Sequence, residues 1–451
     1  MTPRIVIAGT SSGAGKTSIA CGLIGALRKA GHTVQGFKVG PDFIDPGYHA
    51  LASGRPGRNL DAFLSGPELI APLARHGAAG ADIAVLEGVM GLFDGASGRG
   101  ELASTAQVAK LLRAPVLLVV DASAMARSAA ALVHGFATFD PELRVAGVIY
   151  NKVGSDHHEQ LLREATEPLG IPVLGAVRRS ERVAAPERHL GLVPAGEREA
   201  GAREALEALA EAAADSIDLA AVERLARGAA ALEGPTWSPE PSGPQVFARI
   251  AIARGPAFSF HYQENLELLA AAGAELVQFD PLRDPSLPAG TGALLLAGGF
   301  PEIYGAELAA NASLREEVRA FAASGRPVLA ECGGLLYLCA ELDGVEMCGV
   351  LPARGRMTKR LTLGYREARA ATATPWLEQG AGLRGHEFHY STIEPLEEGA
   401  APAWSLSARG ATRPDGMVAG AVQAGYLHVH WAAHPTVAHR FAAAAATRVP
   451  A

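Results

Sequence analysis

A glycine-rich loop near the start of the chain constrains its fold more than any other feature. The run Gly9-Thr-Ser-Ser-Gly-Ala-Gly-Lys-Thr17 follows an apolar segment, Arg4–Ala8, and opens a helix-length segment, Lys16–Ala30. In this setting the backbone N–H groups of the loop and the helix N-terminus point at phosphate oxygens. The run has one residue more than the usual spacing, so we interpret it as a variant phosphate-binding loop. The predicted ATP-binding residues are Gly9, Thr10, Ser11, Ser12, Gly13, Ala14, Gly15, Lys16 and Thr17.

Acidic residues follow two further strand candidates of the same region. Asp42 and Asp45 come after one apolar run, and Glu87 and Asp94 come after another. Ligands of open α/β sheets bind beyond the carboxyl ends of the strands, and Mg²⁺ takes oxygen ligands that include one or two protein carboxylates. We therefore predict Thr17, Asp45 and Glu87 as Mg²⁺ ligands, and Asp42 and Asp94 as contacts of a substrate or intermediate. The alternative is that these acids are solvated loop residues.

Asn151 follows the strand candidate Val145–Ile149 and is predicted to contribute to the ATP site. Its amide has the donor and acceptor needed to pair with the edge of an adenine ring. An asparagine that only shapes a turn is the alternative, since this residue type is common in turns.

Short apolar runs alternate with helical segments along most of the chain, which predicts parallel sheets covered by helices on both faces. One segment, Gly234–Pro244, carries four prolines in eleven residues and is therefore predicted to be a linker. The chain of 451 residues is thus expected to form two α/β domains. Their predicted bounds are residues 1–235 and 246–451, with the linker at residues 236–245.

A cysteine in the second half has the setting of a nucleophile. Cys332 lies between the apolar run Pro327–Ala330 and a helical segment, and two glycines follow it. A sharp turn there would project the thiol, and the helix N-terminus would favour the thiolate. His428 and His430 are the candidate bases, because residues at period two share one face of a strand. The predicted oxyanion donors are the backbone N–H groups of Gly298, Gly299 and Gly333; ordinary turns and structural histidines are the alternatives.

Taken together, these motifs resemble those of a known enzyme family. The Cys-Gly-Gly turn, the Gly-Gly-Phe-Pro-Glu loop and the Tyr-Leu-His run look like a triad-type class I glutamine amidotransferase domain, and the phosphate loop looks like that of dethiobiotin synthetases. The order of the two domains is that of the corrin amidases. The stretches that resemble the corrin a,c-diamide synthases most specifically are Lys38–Pro46, Glu87–Gly95, Pro186–Leu192, Ala257–Tyr262 and Leu361–Ala368.

The resemblance implies two three-layer α/β domains, a P-loop synthetase domain and a flavodoxin-like amidotransferase domain. It implies a carbon–nitrogen ligase of cobalamin biosynthesis, which uses ATP, Mg²⁺ and L-glutamine to amidate the a and c carboxylates of cobyrinic or hydrogenobyrinic acid through acyl phosphates. It also implies that Cys332 is the nucleophile and His428 the base. Many relatives have a Glu two residues after that base, where this chain has His430, so the third triad member stays open and His430 is left an orienting role.

The amino-acid composition limits the classes of partner that the protein is expected to bind. The chain has 40 Lys and Arg against 47 Asp and Glu, a net charge of −7, which argues against nucleic acid as the main partner. No apolar run approaches the ~18 residues of a membrane span, and four cysteines are too few for a disulfide framework. These features predict a cytoplasmic protein, and the resemblance implies that its partners are the small molecules corrin, ATP and glutamine. A homodimer is left open.

Three alternatives differ in what they leave unexplained. A nickel-sirohydrochlorin a,c-diamide synthase and a cobyric acid synthase share the domain order, although Lys38–Pro46 and Leu361–Ala368 favour the corrin a,c enzymes over the latter. A P-loop ATPase switch of the partitioning type would carry a signature lysine early in the loop, where Thr10–Ser12 has none. That alternative also leaves Cys332 and His428 without a role.

Overall fold

The protein is described by a computed structural model that covers residues 2–179, 187–188, 191–192, 199–397 and 399–446. The chain divides into two compact units, Met1–Ser238 and Pro239–Ala451. The stretch 186–192, which carries part of the resemblance, lies outside the described residues apart from two short strands. Within the described ranges, no helix combines the length and apolar character needed to cross a bilayer.

The first unit is built on a seven-stranded, fully parallel sheet of order β3-β2-β4-β1-β5-β6-β7. Its central strands are buried along their whole length, as expected for strands covered on both faces. A separate two-stranded ribbon joins β8 and β9. The strands are β1 (Arg4–Gly9), β2 (Val34–Val39), β3 (Arg58–Leu60), β4 (Ile83–Glu87), β5 (Val116–Asp121), β6 (Val145–Val153), β7 (Val173–Arg178), β8 (Glu187–Arg188) and β9 (Gly191–Leu192).

Helices of the first unit connect these strands and pack closely where glycines permit it. A Cβ atom on Gly22 would lie 2.8 Å from the Leu209 carbonyl oxygen, and one on Gly25 would lie 2.8 Å from the Ala210 Cβ, so the helix of Gly22 and Gly25 needs both glycines to pack on that of Leu209 and Ala210. The helices are α1 (Lys16–Lys29), α2 (Ile44–Ser53), α3 (Pro67–Gly77), α4 (Thr105–Leu111), α5 (Ser128–Thr138), α6 (Asp156–Thr166), α7 (Glu199–Ser216) and α8 (Leu219–Arg227).

The second unit contains a six-stranded sheet of order β11-β10-β12-β13-β21-β20, parallel except for the pair β20–β21. Its remaining strands form a second sheet, which is antiparallel except for the pair β14–β16. The strands are β10 (Ala248–Ala253), β11 (Ala274–Phe279), β12 (Ala293–Leu296), β13 (Val328–Glu331), β14 (Glu341–Leu342), β15 (Val345–Glu346), β16 (Ala353–Ala370), β17 (Gly382–Pro395), β18 (Trp404–Ala408), β19 (Ala411–Asp415), β20 (Met417–Ala419), β21 (Val422–Gly425) and β22 (His428–Val429).

Among the described residues of the second unit, the α-helices are α9 (Gln263–Ala271), α10 (Gly305–Ala310), α11 (Ala312–Ala323), α12 (Gly333–Leu338) and α13 (Pro435–Ala446). The antiparallel sheet is dominated by the long strands β16 and β17, with β22 added at the edge of β17. This sheet brings β17 beside the strand that carries His428, because Gly385 and His386 pair with Val429 and His428.

The predicted α/β class is confirmed for both units. The antiparallel sheet was not predicted, because mixed charged and apolar residues in β16 give no clean alternation. The three-residue strand β3 was not predicted either. The helical region before the linker consists of two helices, α7 and α8, because Asp218 accepts a hydrogen bond from the Ala221 N–H and begins α8.

Candidate active sites

The predicted phosphate loop joins β1 to α1 in the first unit. Gly15 occupies the residue before the helix with a φ of 94°, and Gly13 has a φ of 77°, both in the region that favours glycine. The Lys16 ammonium donates a hydrogen bond to the Ser11 carbonyl oxygen at 3.0 Å, so it folds over the loop. Burial, and then the charge of Lys38, lower the pKa of Lys16 to about 8. The loop is therefore shaped to surround an anion.

Asn151, at the end of β6, fixes the backbone of this loop. Its Nδ2 donates to the Ala14 carbonyl oxygen at 3.0 Å, and its Oδ1 accepts from the Lys152 N–H at 2.9 Å. A Cβ atom on Gly15 would lie 2.0 Å from that Nδ2, so the amide occupies the space that glycine leaves. The contacts of Asn151 are thus to the loop itself, and its predicted contact with adenine remains a prediction.

A buried cluster of charges stands beside the loop. The Thr17 hydroxyl donates to Glu87 Oε1 at 2.5 Å and lies 3.5 Å from Asp45 Oδ2. The Lys38 ammonium contacts both carboxylates, at 2.5 Å from Asp45 and 2.8 Å from Glu87. The imidazole of His49 lies 2.7 Å from the other oxygen of Glu87. The cluster combines three predicted residues with two, Lys38 and His49, that the sequence reasoning did not assign.

Opposite effects act on the ionisation of Glu87. Burial opposes the charged carboxylate, but the Lys38 ammonium and the hydrogen bond with His49 outweigh it and hold the pKa of Glu87 well below its usual range. Glu87 is therefore an anion without solvent exposure. His49 could have been found from sequence, since it follows Asp45 by four residues on α2 and must share its face.

The oxygens of Thr17, Asp45 and Glu87 meet at the carboxyl ends of β2 and β4, as the sequence predicted. A hydroxyl and two carboxylates are hard oxygen donors of the type that Mg²⁺ prefers. The donor set therefore fits that ion, and the Lys38 ammonium balances the same two carboxylates in this structure.

The two other predicted acids have structural contacts. Asp42 Oδ1 accepts from the Ile44 and Asp45 N–H groups at 2.6 and 3.0 Å, which shapes the start of α2. Asp94 is exposed, and its Oδ2 accepts from the Gly91 N–H at 3.0 Å. Both stand next to the charge cluster in sequence, and their contact with a substrate remains a prediction.

The thiol of the second unit lies on a strained turn between β13 and α12. Cys332 has φ 49° and ψ −101°, a conformation that non-glycine residues rarely adopt, and its N–H donates to the Gly425 carbonyl oxygen at 2.7 Å. A Cβ atom on Gly333 would lie 2.9 Å from the Gly299 N, so the residue after the cysteine must be small. This geometry is that of the predicted nucleophile turn.

The Gly298-Gly299 loop closes one side of this turn. The N–H groups of Ser259 and Phe260 both donate to the Gly298 carbonyl oxygen at 3.1 Å. Gly299 lies against Gly333, as its contact distance shows. The structure thus brings together the three predicted oxyanion glycines, whose role remains a prediction.

His428 is the histidine next to the thiol. Burial alone would lower the pKa of its imidazole, but hydrogen bonds with Cys332 and Glu331 outweigh burial and raise that pKa to about 10. Its Nδ1 lies 3.1 Å from Glu331 Oε2. A Cβ atom on Gly298 would lie 2.5 Å from the His428 Cε1, so glycine also leaves room for this ring. Sequence reasoning assigned no role to Glu331, although it directly precedes the predicted nucleophile.

His430 has different neighbours. The prediction that both histidines share a strand face is wrong, because β22 ends at Val429 and His430 begins a 3₁₀ turn. Its Nε2 lies 3.3 Å from Glu264 Oε2, and its ring packs 4.8 Å from that of Tyr262. The orienting role that the sequence left to His430 therefore has a competitor in Glu331.

The antiparallel sheet forms a wall beside the thiol. The Phe388 carbonyl oxygen lies 4.0 Å from Cys332 Sγ, and the ring of His389 stacks on Tyr426 at 3.6 Å. On the same strand as Phe388, the fully buried Glu387 pairs with the guanidinium groups of Arg366 and Arg413. These charged groups come from the unpredicted sheet, so the sequence could not bring them together.

Both units of the chain match families of known proteins. Residues 5–193 match the family model of the CobQ/CobB/MinD/ParA nucleotide binding domain, and residues 249–436 match that of the CobB/CobQ-like glutamine amidotransferase domain. The chain is 56% identical to a hydrogenobyrinate a,c-diamide synthase of Streptomyces coelicolor, over 97% of this chain and 96% of the relative. It is 51% identical to one of Thermobifida fusca, over 99% and 98%. A cobyrinate a,c-diamide synthase of Syntrophotalea carbinolica is 47% identical, over 97% and 98%.

Proposed function

The chain belongs to the family of the a,c-diamide synthases, and we propose that it converts the a and c carboxylates of a corrin ring into amides with glutamine and ATP. It is an ATP-dependent amidating enzyme with a glutamine amidotransferase domain. The observation that carries the proposal is that full-length similarity to these enzymes coincides with a thiol site and a phosphate loop in one chain.

The ring is proposed to be hydrogenobyrinic acid, the cobalt-free corrin. The two relatives named for hydrogenobyrinate are 56% and 51% identical to this chain, and the relative named for cobyrinate is 47% identical. The difference supports the cobalt-free ring as the preferred substrate.

In the first unit, a corrin carboxylate attacks the γ-phosphorus of ATP, and the bond to ADP breaks. This step makes an acyl phosphate. The activation is needed because a free carboxylate is a poor electrophile for ammonia. Lys16 and the loop N–H groups hold the phosphate oxygens in place for the transfer. Thr17, Asp45 and Glu87 would hold Mg²⁺, which supplies charge neutralisation when bound. Ammonia then attacks the acyl carbon and expels phosphate, which leaves the amide.

In the second unit, Cys332 Sγ attacks the side-chain amide carbon of glutamine. His428 accepts the thiol proton and delivers it to the departing ammonia. Backbone N–H groups of the glycine loop and of Gly333 would stabilise the oxyanion. Water then hydrolyses the thioester, so that glutamate leaves and the thiol is restored.

The test is product analysis with a panel of rings. The purified protein is incubated with ATP, Mg²⁺ and glutamine together with hydrogenobyrinic acid, cobyrinic acid or nickel-sirohydrochlorin, and products are read by mass spectrometry. We expect the mass change of two hydroxyl groups replaced by two amino groups, fastest for hydrogenobyrinic acid. No amide from any ring would contradict the proposed reaction. Preference for another ring would contradict only the choice of substrate.

A further inference from the structure

The carboxylate that completes the thiol site stands at an unexpected place in the chain. Many triad-type amidotransferase domains carry an acid two residues after the base, and this chain has His430 there. The carboxylate near the base belongs instead to Glu331, the residue before the nucleophile. The acid and the nucleophile are therefore neighbours in sequence.

Two contacts connect Glu331 to the strand of the base. Its Oε2 lies 3.1 Å from His428 Nδ1, and its Oε1 accepts from the Val429 N–H at 3.4 Å. The Glu331 side chain is 14% exposed and that of His428 is 1% exposed, so water screens the pair weakly. Glu331 also borders a cavity of about 20 Å³, enough for one water molecule.

Backbone geometry explains how consecutive residues can reach one imidazole. Side chains of a regular strand alternate between its faces, which would send Glu331 and Cys332 in opposite directions. The left-handed turn at Cys332, with φ 49°, ends the alternation directly after Glu331. Both side chains then reach His428.

Other groups around His428 do not offer the same partner. His386, which pairs with His428 across the strands, is buried, and burial lowers its pKa to about 3, so it stays neutral. Glu264 pairs with His430. Glu331 Oε2, at 3.1 Å from Nδ1, is the carboxylate oxygen in contact with the His428 ring.

We propose that Glu331 is the positioning residue of the thiol site: it orients the His428 ring toward Cys332 and stabilises the imidazolium that forms when the thiol gives up its proton. This inference rests on the proposed glutaminase reaction. A carboxylate behind an imidazole holds its tautomer and its direction, and removing the charge alone impairs proton transfer.

Two variants of Glu331 separate the effect of its charge from the effect of its side-chain length. Glu331→Gln keeps an acceptor for the Val429 N–H and removes the charge, whereas Glu331→Asp keeps the charge and shortens the side chain. For Glu331→Gln we expect glutamine-dependent kcat to fall by about 100-fold, because general acid–base catalysis contributes at least that factor. For Glu331→Asp we expect an intermediate loss of about tenfold. The KM for glutamine should change by less than about threefold, since Glu331 does not bind the substrate.

A pH profile gives a readout that a purely structural residue would not move. In the wild type, His428 holds its proton up to a pKa of about 10, so the alkaline limb of glutaminase kcat/KM lies at high pH. Without the Glu331 charge the imidazolium loses its stabilisation, and the alkaline limb should move to lower pH. Glu264→Gln, at the partner of His430, is the matched control and should leave that limb in place.

The outcomes are distinct. Loss of glutamine-dependent activity in Glu331→Gln, with ammonium-dependent amidation retained and the limb shifted, supports the proposal. Full glutamine-dependent activity in Glu331→Gln overturns it. Equal losses with glutamine and with ammonium also overturn it, because they indicate a structural role. If the wild type itself forms no amide, the proposed function fails, whatever Glu331 does.

Discussion

The two reactive centres use the same local element, a turn from a parallel strand into a helix, in opposite ways. In the first unit the turn between β1 and α1 has glycine at its left-handed positions, Gly13 and Gly15. In the second unit the turn between β13 and α12 has a non-glycine residue, Cys332, at its left-handed position. In the first turn, glycines without side chains would leave room for an anion among the backbone N–H groups. In the second turn, the side chain of Cys332 would be presented as the proposed nucleophile.

The two centres also differ in how their charges are compensated. Around the loop, the buried Glu87 pairs with the Lys38 ammonium and also contacts His49, as part of a larger network. Around the thiol, one carboxylate, Glu331, faces one imidazole. A buried polar network depends on the satisfaction of all its members, whereas an ion pair depends on two groups. Because the thiol site is proposed to release ammonia from glutamine and the loop to activate the carboxylate, variants of the thiol site should affect one nitrogen source and variants of the loop both.

Cys332→Ala should have the largest effect and divide the two centres most clearly. Glutamine-dependent amidation should fall by at least about 1,000-fold, because the nucleophile is gone. Amidation with ammonium chloride should persist, because the first unit does not need the thiol. Initial rates with each nitrogen source provide the measurement. Equal loss with both sources would mean that Cys332 is needed for the fold.

Lys16→Ala should reduce amide formation from both nitrogen sources by about 100-fold, because the ammonium that contacts the phosphates is removed. Lys29→Ala on the same helix is the control, since Lys29 is exposed and has a surface contact with Glu211. Initial rates of ADP release and of amide formation test this. Unchanged turnover in Lys16→Ala would refute the assignment of the loop.

Two glycines test the spaces that each centre requires. Gly298→Ala places a Cβ atom 2.5 Å from the His428 ring and should lower glutamine-dependent activity alone by about tenfold, equivalent to ~1.4 kcal/mol. Gly15→Ala meets Asn151 and should lower activity with both sources. Gly13→Ala, where no atom lies within 4 Å, is the control for backbone strain. A loss of activity with both nitrogen sources in Gly298→Ala would contradict the prediction that this glycine serves only the thiol site.

The smallest effect concerns the pH dependence of nucleotide binding. The pKa of Lys16 is about 8 in the absence of nucleotide, and ATP phosphates should raise it because they favour the ammonium. ATP affinity should therefore weaken as the pH rises above about 8, by at most about tenfold per pH unit. Calorimetric titration between pH 7 and 9.5 measures this. Lys16→Arg should remove the dependence, and a flat profile in the wild type would contradict it.

Sequence reasoning located the turns that consecutive residues form, while the roles of their residues remain predictions. The turns at Gly9–Thr17 and at Cys332 follow from glycine placement, and the α/β class follows from buried apolar strands such as β1 and β4. Asp45 and Glu87 were predicted because parallel strands bring their carboxyl ends together. The local pattern was sufficient in each case.

The remaining residues depend on packing between distant segments. Lys38 and His49 belong to the first site because they contact Glu87. Arg366 and Arg413 contact Glu387, which lies in a sheet that the sequence pattern did not reveal. Glu331 was overlooked for a different reason: its partner, His428, is almost a hundred positions away. The partner in a buried ion pair is determined by distances in the folded structure. The periodicity of the sequence carries no information about those distances.

The backbone conformation of Cys332 has a thermodynamic consequence. A non-glycine residue at φ 49° and ψ −101° costs about 1–3 kcal/mol, a sizeable share of the few kcal/mol by which a domain is stable. The second unit bears that cost whether or not glutamine is bound. A glycine at this position would avoid that cost but would carry no thiol, so local backbone stability and the proposed nucleophile make opposite demands on this residue.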